Sequence, residues 1–147
     1  MPKYNLKLIA KTNEDLKVLS AHLQDAIVST ADIANLKNNR IFLIQLNRFM
    51  WEDVEKGVFR KSKRIRTILK FENVLKINSK NINQEKRDRF LDFLAIESKE
   101  MPDKSFEMKL IFSGDSVIKV ASEIIEVTLD DQGSPWETNT KPKHKVL

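Results

Sequence analysis

No cysteine occurs among the 147 residues, which excludes disulfide staples, thiolate zinc sites and cysteine nucleophiles together. Glycine is almost as scarce. Gly57, Gly114 and Gly133 stand far apart, so neither a Walker loop nor a dinucleotide fingerprint can be built from them. A G-x-S-x-G nucleophile elbow is missing too. These absences argue against nucleotide hydrolases and nicotinamide oxidoreductases, and much less against hydrolases that use scattered residues. Long apolar runs are also missing: none approaches the roughly 20 residues that span a bilayer. The opening MPKYNLKLIAKTNEDLK lacks the apolar core of a secretion signal. With a reducing compartment as the natural setting for a cysteine-free chain, the expectation is a cytoplasmic protein that does not enter a membrane.

What is present is 41% apolar and 32% charged residues, the balance of a soluble folded domain rather than a disordered chain. The length fits a single domain, expected over residues 1–136, with a disordered polar tail over 137–147. Asn5–Lys11 reads as a first strand. Thr12 or Asn13 can cap a helix with Glu14 and Asp15 in its first turn. Leu16, Leu19, Leu23, Ala26 and Ile27 then recur at helical steps and predict an amphipathic helix of about four turns. Beyond it the period changes to two. Strands are expected over Asp32–Leu36 and Arg40–Phe49, joined by a tight Lys37-Asn38-Asn39 turn with asparagine at positive φ. Phe42, Ile44, Leu46 and Arg48 share one face of the second. Glu52–Ser62 reads as an exposed loop. Arg64–Phe71 and Val74–Asn78 read as one bent strand near Asn73, and Asn81–Asp88 as a short helical turn. Further strands follow over Phe90–Glu97, Phe106–Phe112 and Val117–Val120, with a hairpin turn at Ser113-Gly114-Asp115. A last strand over Ile124–Leu129 is expected to stop at Gly133 and Pro135, with Trp136 packing the C-terminal segment back onto the domain. The fold class is α+β: a mainly antiparallel β-sheet with one main amphipathic helix near the N-terminus. Ile68–Phe71 with Val74-Leu75 echoes Val117–Val120 with Ile124-Ile125. Two β-meanders from a duplication would explain the echo, and so would the monotony of β-strands.

The charge is localised along the chain. Seven of the fifteen residues from Lys56 to Lys70 are basic and none is acidic, while the whole chain carries only +5. Arg60, Lys61, Lys63, Arg64 and Arg66 are therefore the candidate binding residues of a basic patch for an acidic partner, either nucleic acid or protein. Phe49, Trp51 and Phe59 lie close by, which suits stacking by single-stranded bases. The bland alternative is a solvated basic edge strand that discourages aggregation.

Catalytic candidates are few. His22 has Asp25 three residues on, a pair that supports acid–base chemistry if the two share a helix face; a hydrogen-bonded surface histidine is the plainer reading. The neighbouring acids Glu52-Asp53 and Asp130-Asp131 would point to opposite faces of a strand and form no recognised ligand pattern. No metal and no cofactor is expected. The leading function is a small binding or adaptor module, and the alternative is an enzyme using His22 and Asp25 with Arg48 as an anion clamp. Oligomeric state stays open.

Four short blocks, His22-Leu23-Gln24-Asp25-Ala26, Leu46-Asn47-Arg48-Phe49 with Trp51-Glu52, Phe71-Glu72-Asn73-Val74, and Leu129-Asp130-Asp131 with Gly133 and Trp136, together resemble the family known as domain of unknown function 2948. The resemblance implies a single-domain cytoplasmic bacterial protein and carries over no activity and no catalytic residue. If the family has a site, His22, Gln24, Asp25, Asn47, Arg48, Trp51 and Glu52 are its polar and aromatic candidates.

Overall fold

The computed structural model describes residues 5–52, 62–82 and 89–138. The expected loop over 52–62 and polar turn over 81–88 lie mostly outside these residues, and so does the tail from 139 onward. Strand β1 (Lys7–Ala10) leads into the helix α1 (Asn13–Leu23). Thr12 caps it: its hydroxyl accepts the Asp15 N–H at 3.1 Å, and the Asp15 carboxylate accepts the Lys11 N–H at 2.9 Å. The Lys11 N–H, ahead of the Thr12 contacts, holds the Asp15 carboxyl below its ordinary pKa. Leu16, Leu19 and Leu23 are buried, each contributing about 1.5–3 kcal/mol of apolar transfer. They seat α1 beside β6 (Phe90–Glu100), where the Ile96 N–H donates to the Ser20 hydroxyl at 3.1 Å.

The helix ends a turn earlier than its leucine spacing predicts. Asp25 takes a left-handed backbone conformation (φ 63°), and its N–H is drawn to the Phe93 carbonyl of β6 at 2.7 Å. Ala26 and Ile27 are apolar because they enter a sheet and not because they extend a helix stripe. Strand β2 (Ile27–Leu36) accordingly starts five residues before the expected Asp32. At its far end Lys37–Asn39 forms a single 3-10 turn, and Arg40, not an asparagine, takes positive φ (59°). Strands β3 (Ile41–Phe49), β4 (Lys63–Phe71), β5 (Val74–Lys80), β7 (Phe106–Phe112), β8 (Val117–Ser122) and β9 (Val127–Glu137) complete the described elements. At the β7–β8 turn Gly114 and Asp115 both have positive φ (70° and 59°), the primed turn whose twist matches a hairpin.

All nine described strands belong to one antiparallel sheet of order β1-β9-β4-β3-β2-β6-β7-β8-β5. Strands β2, β3 and β4 pair in chain order, and so do β6, β7 and β8. Asn73 (φ 57°) bends β4 into β5, and β8 runs on into β9 over the same corner. There the Glu72 N–H donates to the Glu126 carbonyl at 3.0 Å and the Glu123 N–H to the Asn73 carbonyl at 3.1 Å. Because β4 pairs β9 while β5 pairs β8, the sheet curls back around a common core. Phe42 and Phe71 meet there at 5.9 Å, and Phe93 and Phe112 edge-on at 5.3 Å. Gly133 and Pro135 do not stop β9, contrary to expectation. Residues 133–135 lie opposite the single Ile65 as a bulge, with Gly133 at φ 71°, and pairing resumes at Trp136. Trp136 is 41% exposed, and the C-terminal segment is held to the sheet by its pairing with Arg64 and Lys63. No helix among the described residues is long and apolar enough to cross a membrane.

Candidate functional site

Alternation along β3 sends Phe42, Ile44, Leu46 and Arg48 to the interior, so the chain delivers a guanidinium to the end of an apolar row. Arg48 is 0% exposed. The same alternation in β9 buries Val127, Leu129 and Asp131, and in β4 it buries Ile65, Thr67 and Leu69. Thr67 stands opposite Asp131 in the ladder, and Arg48 opposite Ile65. The two charges therefore meet across β4. Arg48 Nε donates to Asp131 Oδ1 at 2.8 Å and Nη2 to Oδ2 at 2.7 Å. Its other edge takes Glu52: Nη1 to Oε1 at 2.9 Å and Nη2 to Oε2 at 2.8 Å. A longer Nη1 contact reaches the Phe49 carbonyl at 3.5 Å. Every one of the five N–H groups of a guanidinium is thereby engaged. Asp131 is completed by the Thr67 hydroxyl at 2.7 Å and the Leu6 N–H at 2.9 Å.

Burial opposes each of these charges, and the hydrogen bonds outweigh it. Desolvation alone would raise the carboxyls of Asp131 and Glu52. The Arg48 hydrogen bonds and charge, helped at Asp131 by Leu6 and Thr67, hold both below their ordinary values. Desolvation would lower Arg48, and the two carboxylates raise it instead.

The remaining polar candidates gather on the outer side of the same corner. Trp51 donates its indole N–H to the Gln24 carbonyl at 2.8 Å and meets Phe49 edge-on at 4.6 Å. Arg64 Nη1 donates to the Asp25 carbonyl at 3.1 Å and the Asn47 carbonyl at 3.2 Å, with its guanidinium carbon 5.7 Å from the centre of the Phe49 ring. Gln24, Asp25, Asn47, Arg48, Trp51 and Glu52 are thus brought together, yet Gln24, Asp25 and Asn47 contribute backbone carbonyls to these bonds. A recess of about 360 Å³ lies beside them, lined by Lys17, Val18, Ala21, His22, Trp51 and Glu52. The Nδ1 atom of His22 is buried there without a hydrogen-bond partner among the described residues. Asp25 lies past the helix end, so the three-residue helical spacing that would set it beside His22 does not apply.

Part of the basic stretch falls within the described residues. Arg60 and Lys61 lie outside them. Lys63 is half-buried and Arg66 is exposed, but Arg64, expected in the patch, is turned in. The helix exit at Gln24-Asp25 and the Phe49–Trp51 pair cover the outer face of β4 at that point. Burial lowers the Arg64 pKa, against the charges of Asp25 and Asp92.

A wider opening than this recess lies elsewhere, between β2 and β5. A cleft of about 600 Å³ is lined by residues of β2 and β5 with Ile118 of β8, and Ile33, Ile77 and Ile118 supply apolar wall. It continues into a smaller recess of about 350 Å³ along Asn35, Lys37, Arg40 and Lys76. Charge on its described lining is of one sign: Lys37, Arg40 and Lys76 are present and no carboxylate is. Arg40 pairs across the rim with Glu123 at 2.6 Å, while Lys37 and Lys76 form no ion pair among the described residues. Sequence reasoning missed this group because its members come from β2, the turn after it, and β5. It also dismissed Asp131, although a carboxylate in phase with Val127 and Leu129 was a legible sign of a buried charge.

Among the described residues no three histidine or carboxylate side chains cluster to hold a metal ion. No curated protein and no solved structure matches the chain. A family model does match, that of "Protein of unknown function (DUF2948)", over residues 6–144, nearly the whole length, and the chain belongs to that family.

Proposed function

We propose that the protein is a small binding or adaptor module for an acidic partner. One observation carries the reading: the β2–β5 cleft has cations and aliphatic wall along its described lining and no carboxylate. Cations around an apolar, partly desolvated surface favour an anionic ligand over a neutral one. Exposed Arg66 and half-buried Lys63 add to the positive field from β4. A bacterial cytoplasm is the setting this reading assumes, favoured by the cysteine-free composition and the family resemblance. The finer view of the fold, two β-meanders each ending in a bent strand, is supported by the pairing of β2-β3-β4 and of β6-β7-β8.

The test compares two double variants, Lys37→Ser with Lys76→Ser and Lys63→Ser with Arg66→Ser. Binding of labelled poly-glutamate and of a single-stranded oligonucleotide is measured by anisotropy at low and physiological salt. The cleft pair is expected to weaken binding of an acidic probe more than the β4 pair does. Indifference of the probe to Lys37 and Lys76, or no binding by wild type, overturns the reading.

A second reading, an enzyme centred on His22, is favoured by the unpartnered buried Nδ1 in the recess beside Trp51 and Glu52. Arg48 does not serve it as an anion clamp, since its donors are spent on Asp131 and Glu52.

A further inference from the structure

Among the described strands β5 is the last in the sheet order; it pairs with β8, and on its other edge the Val74 N–H donates to the Arg40 carbonyl at 2.9 Å. Strand β2 pairs with β6 through Ile27–Ser29, the Thr30 N–H donates to the Arg89 carbonyl at 3.0 Å, and among the described residues no strand lies in register on that side of Asp32–Leu36. These two edges, without a strand partner along Asp32–Leu36 and Leu75–Lys80 among the described residues, face the same cleft: Ile33, Asn35 and Lys37 line one wall, and Leu75, Ile77 and Ser79 the other. From the geometry we infer that the acidic partner is an extended peptide segment, with carboxylates alternating with aliphatic side chains, that adds antiparallel to β5 inside the cleft.

Three features select this occupant. Unpaired strand edges offer backbone donors and acceptors, which an extended chain satisfies along its length. The antiparallel ladder is the more stable per residue, and over the seven residues of β5 it accommodates a segment of about six residues at roughly 3.4 Å each. Second, side chains of the added strand alternate in direction. One set meets Ile33, Ile77 and Ile118, while the other meets Lys37 and Lys76 at the rim. Third, lysine on an edge keeps neutral strands from pairing, and the same charge favours a strand that brings carboxylates. A single-stranded nucleic acid fits less well, because base stacking needs an exposed aromatic face. The one aromatic residue along the described lining is Phe42, which is 1% exposed.

This inference rests on the acidic-partner reading, and the experiment separates the two. The probe is a labelled, end-blocked hexapeptide alternating glutamate and valine. Two analogues carry N-methyl groups on alternate amides, in the two possible registers, which preserves charge and side chains but blocks one ladder edge each. The parent peptide is expected to bind, with one analogue at least about tenfold weaker, the loss of one or two net hydrogen bonds. Binding is expected to slow amide hydrogen exchange at Leu75–Ser79. The exposed double variant Lys37→Glu with Lys76→Glu, whose fold is checked by thermal unfolding, is expected to lose the parent peptide and gain a lysine–valine hexapeptide. Equal binding of the parent and both analogues, or unchanged exchange in β5, overturns strand addition. In that case retained poly-glutamate binding shows that the acidic-partner reading survives alone. Preference for a single-stranded oligonucleotide over the peptide overturns strand addition as well. Absence of binding by every acidic probe removes both.

Discussion

Strand β3 separates two groups of charge. Past one end Lys37 and Arg40 meet Lys76 along a cleft; at the other Arg48 is closed between Asp131 and Glu52. The span of β3, nine residues, puts them about 27 Å apart at roughly 3.4 Å per residue. At the buried end charges of both signs are present, every guanidinium N–H is used, and nothing is left to offer a ligand. At the open end charge of one sign faces water, and two of the three cations are unpaired among the described residues. The difference teaches where to look for function. A buried and saturated arginine holds strands together, whereas unbalanced cations beside strand edges that lack a described strand partner have capacity to spare. Three remote segments, from β3, β4 and β9, meet at Arg48, so that network fixes the register on which the cleft walls depend.

The comparison breaks most readily at Asp131. Replacing Asp131 with alanine leaves Arg48 buried with one carboxylate fewer, and a loss of about 3–5 kcal/mol is expected in urea unfolding. The joint change Arg48→Met with Asp131→Leu removes the charge along with its partner, and a much smaller loss is expected. A near-neutral Asp131→Ala would mean the network does not hold the sheet.

Acid should produce the next largest effect. Asp131 and Glu52 have folded pKa values below their unfolded ones. Their stabilisation is complete above the unfolded values, near 4, and is lost as pH falls through the lowered folded values. Urea midpoints followed from neutral to below about pH 4 should therefore fall more steeply for wild type than for the Arg48→Met, Asp131→Leu variant. Parallel curves would remove the assignment.

Thr67→Val keeps the shape and deletes the donor to Asp131 Oδ1. Calorimetry should register a loss of about 1.5–3 kcal/mol, the worth of a hydrogen bond to a charged group. The open end should respond least in stability. Lys37→Ser and Lys76→Ser are each expected within about 0.5 kcal/mol of wild type, while acidic-probe binding drops. A large stability loss there would make the cleft lysines structural and erase the contrast between the two ends.

Much of this was legible residue by residue. Thr12 with Asp15 announced the helix start, and Gly114-Asp115 announced the hairpin. Arg48, in phase with Phe42, Ile44 and Leu46, and Asp131, in phase with Val127 and Leu129, each marked a charge on an apolar strand face. Together they implied a buried pair that reading the strands one at a time did not join. The helix end was misjudged because Ala26 and Ile27 satisfy helical and strand spacing equally, and the Phe93 carbonyl across the sheet decided between them. Arg64 was misassigned because outward alternation means exposure only where nothing covers that face, and Trp51 with the Gln24-Asp25 exit covers it.

By itself the sequence determined the class of molecule: one capped helix, a succession of strands and an excess of positive charge, all set by forces acting over a few neighbouring residues. Tertiary structure alone decided which charges meet. Arg48 and Asp131 are 83 residues apart, and the cleft is walled by strands whose pairing partners lie elsewhere in the sheet. Such contacts depend on register between distant segments, and register is settled only when the whole sheet closes over its core.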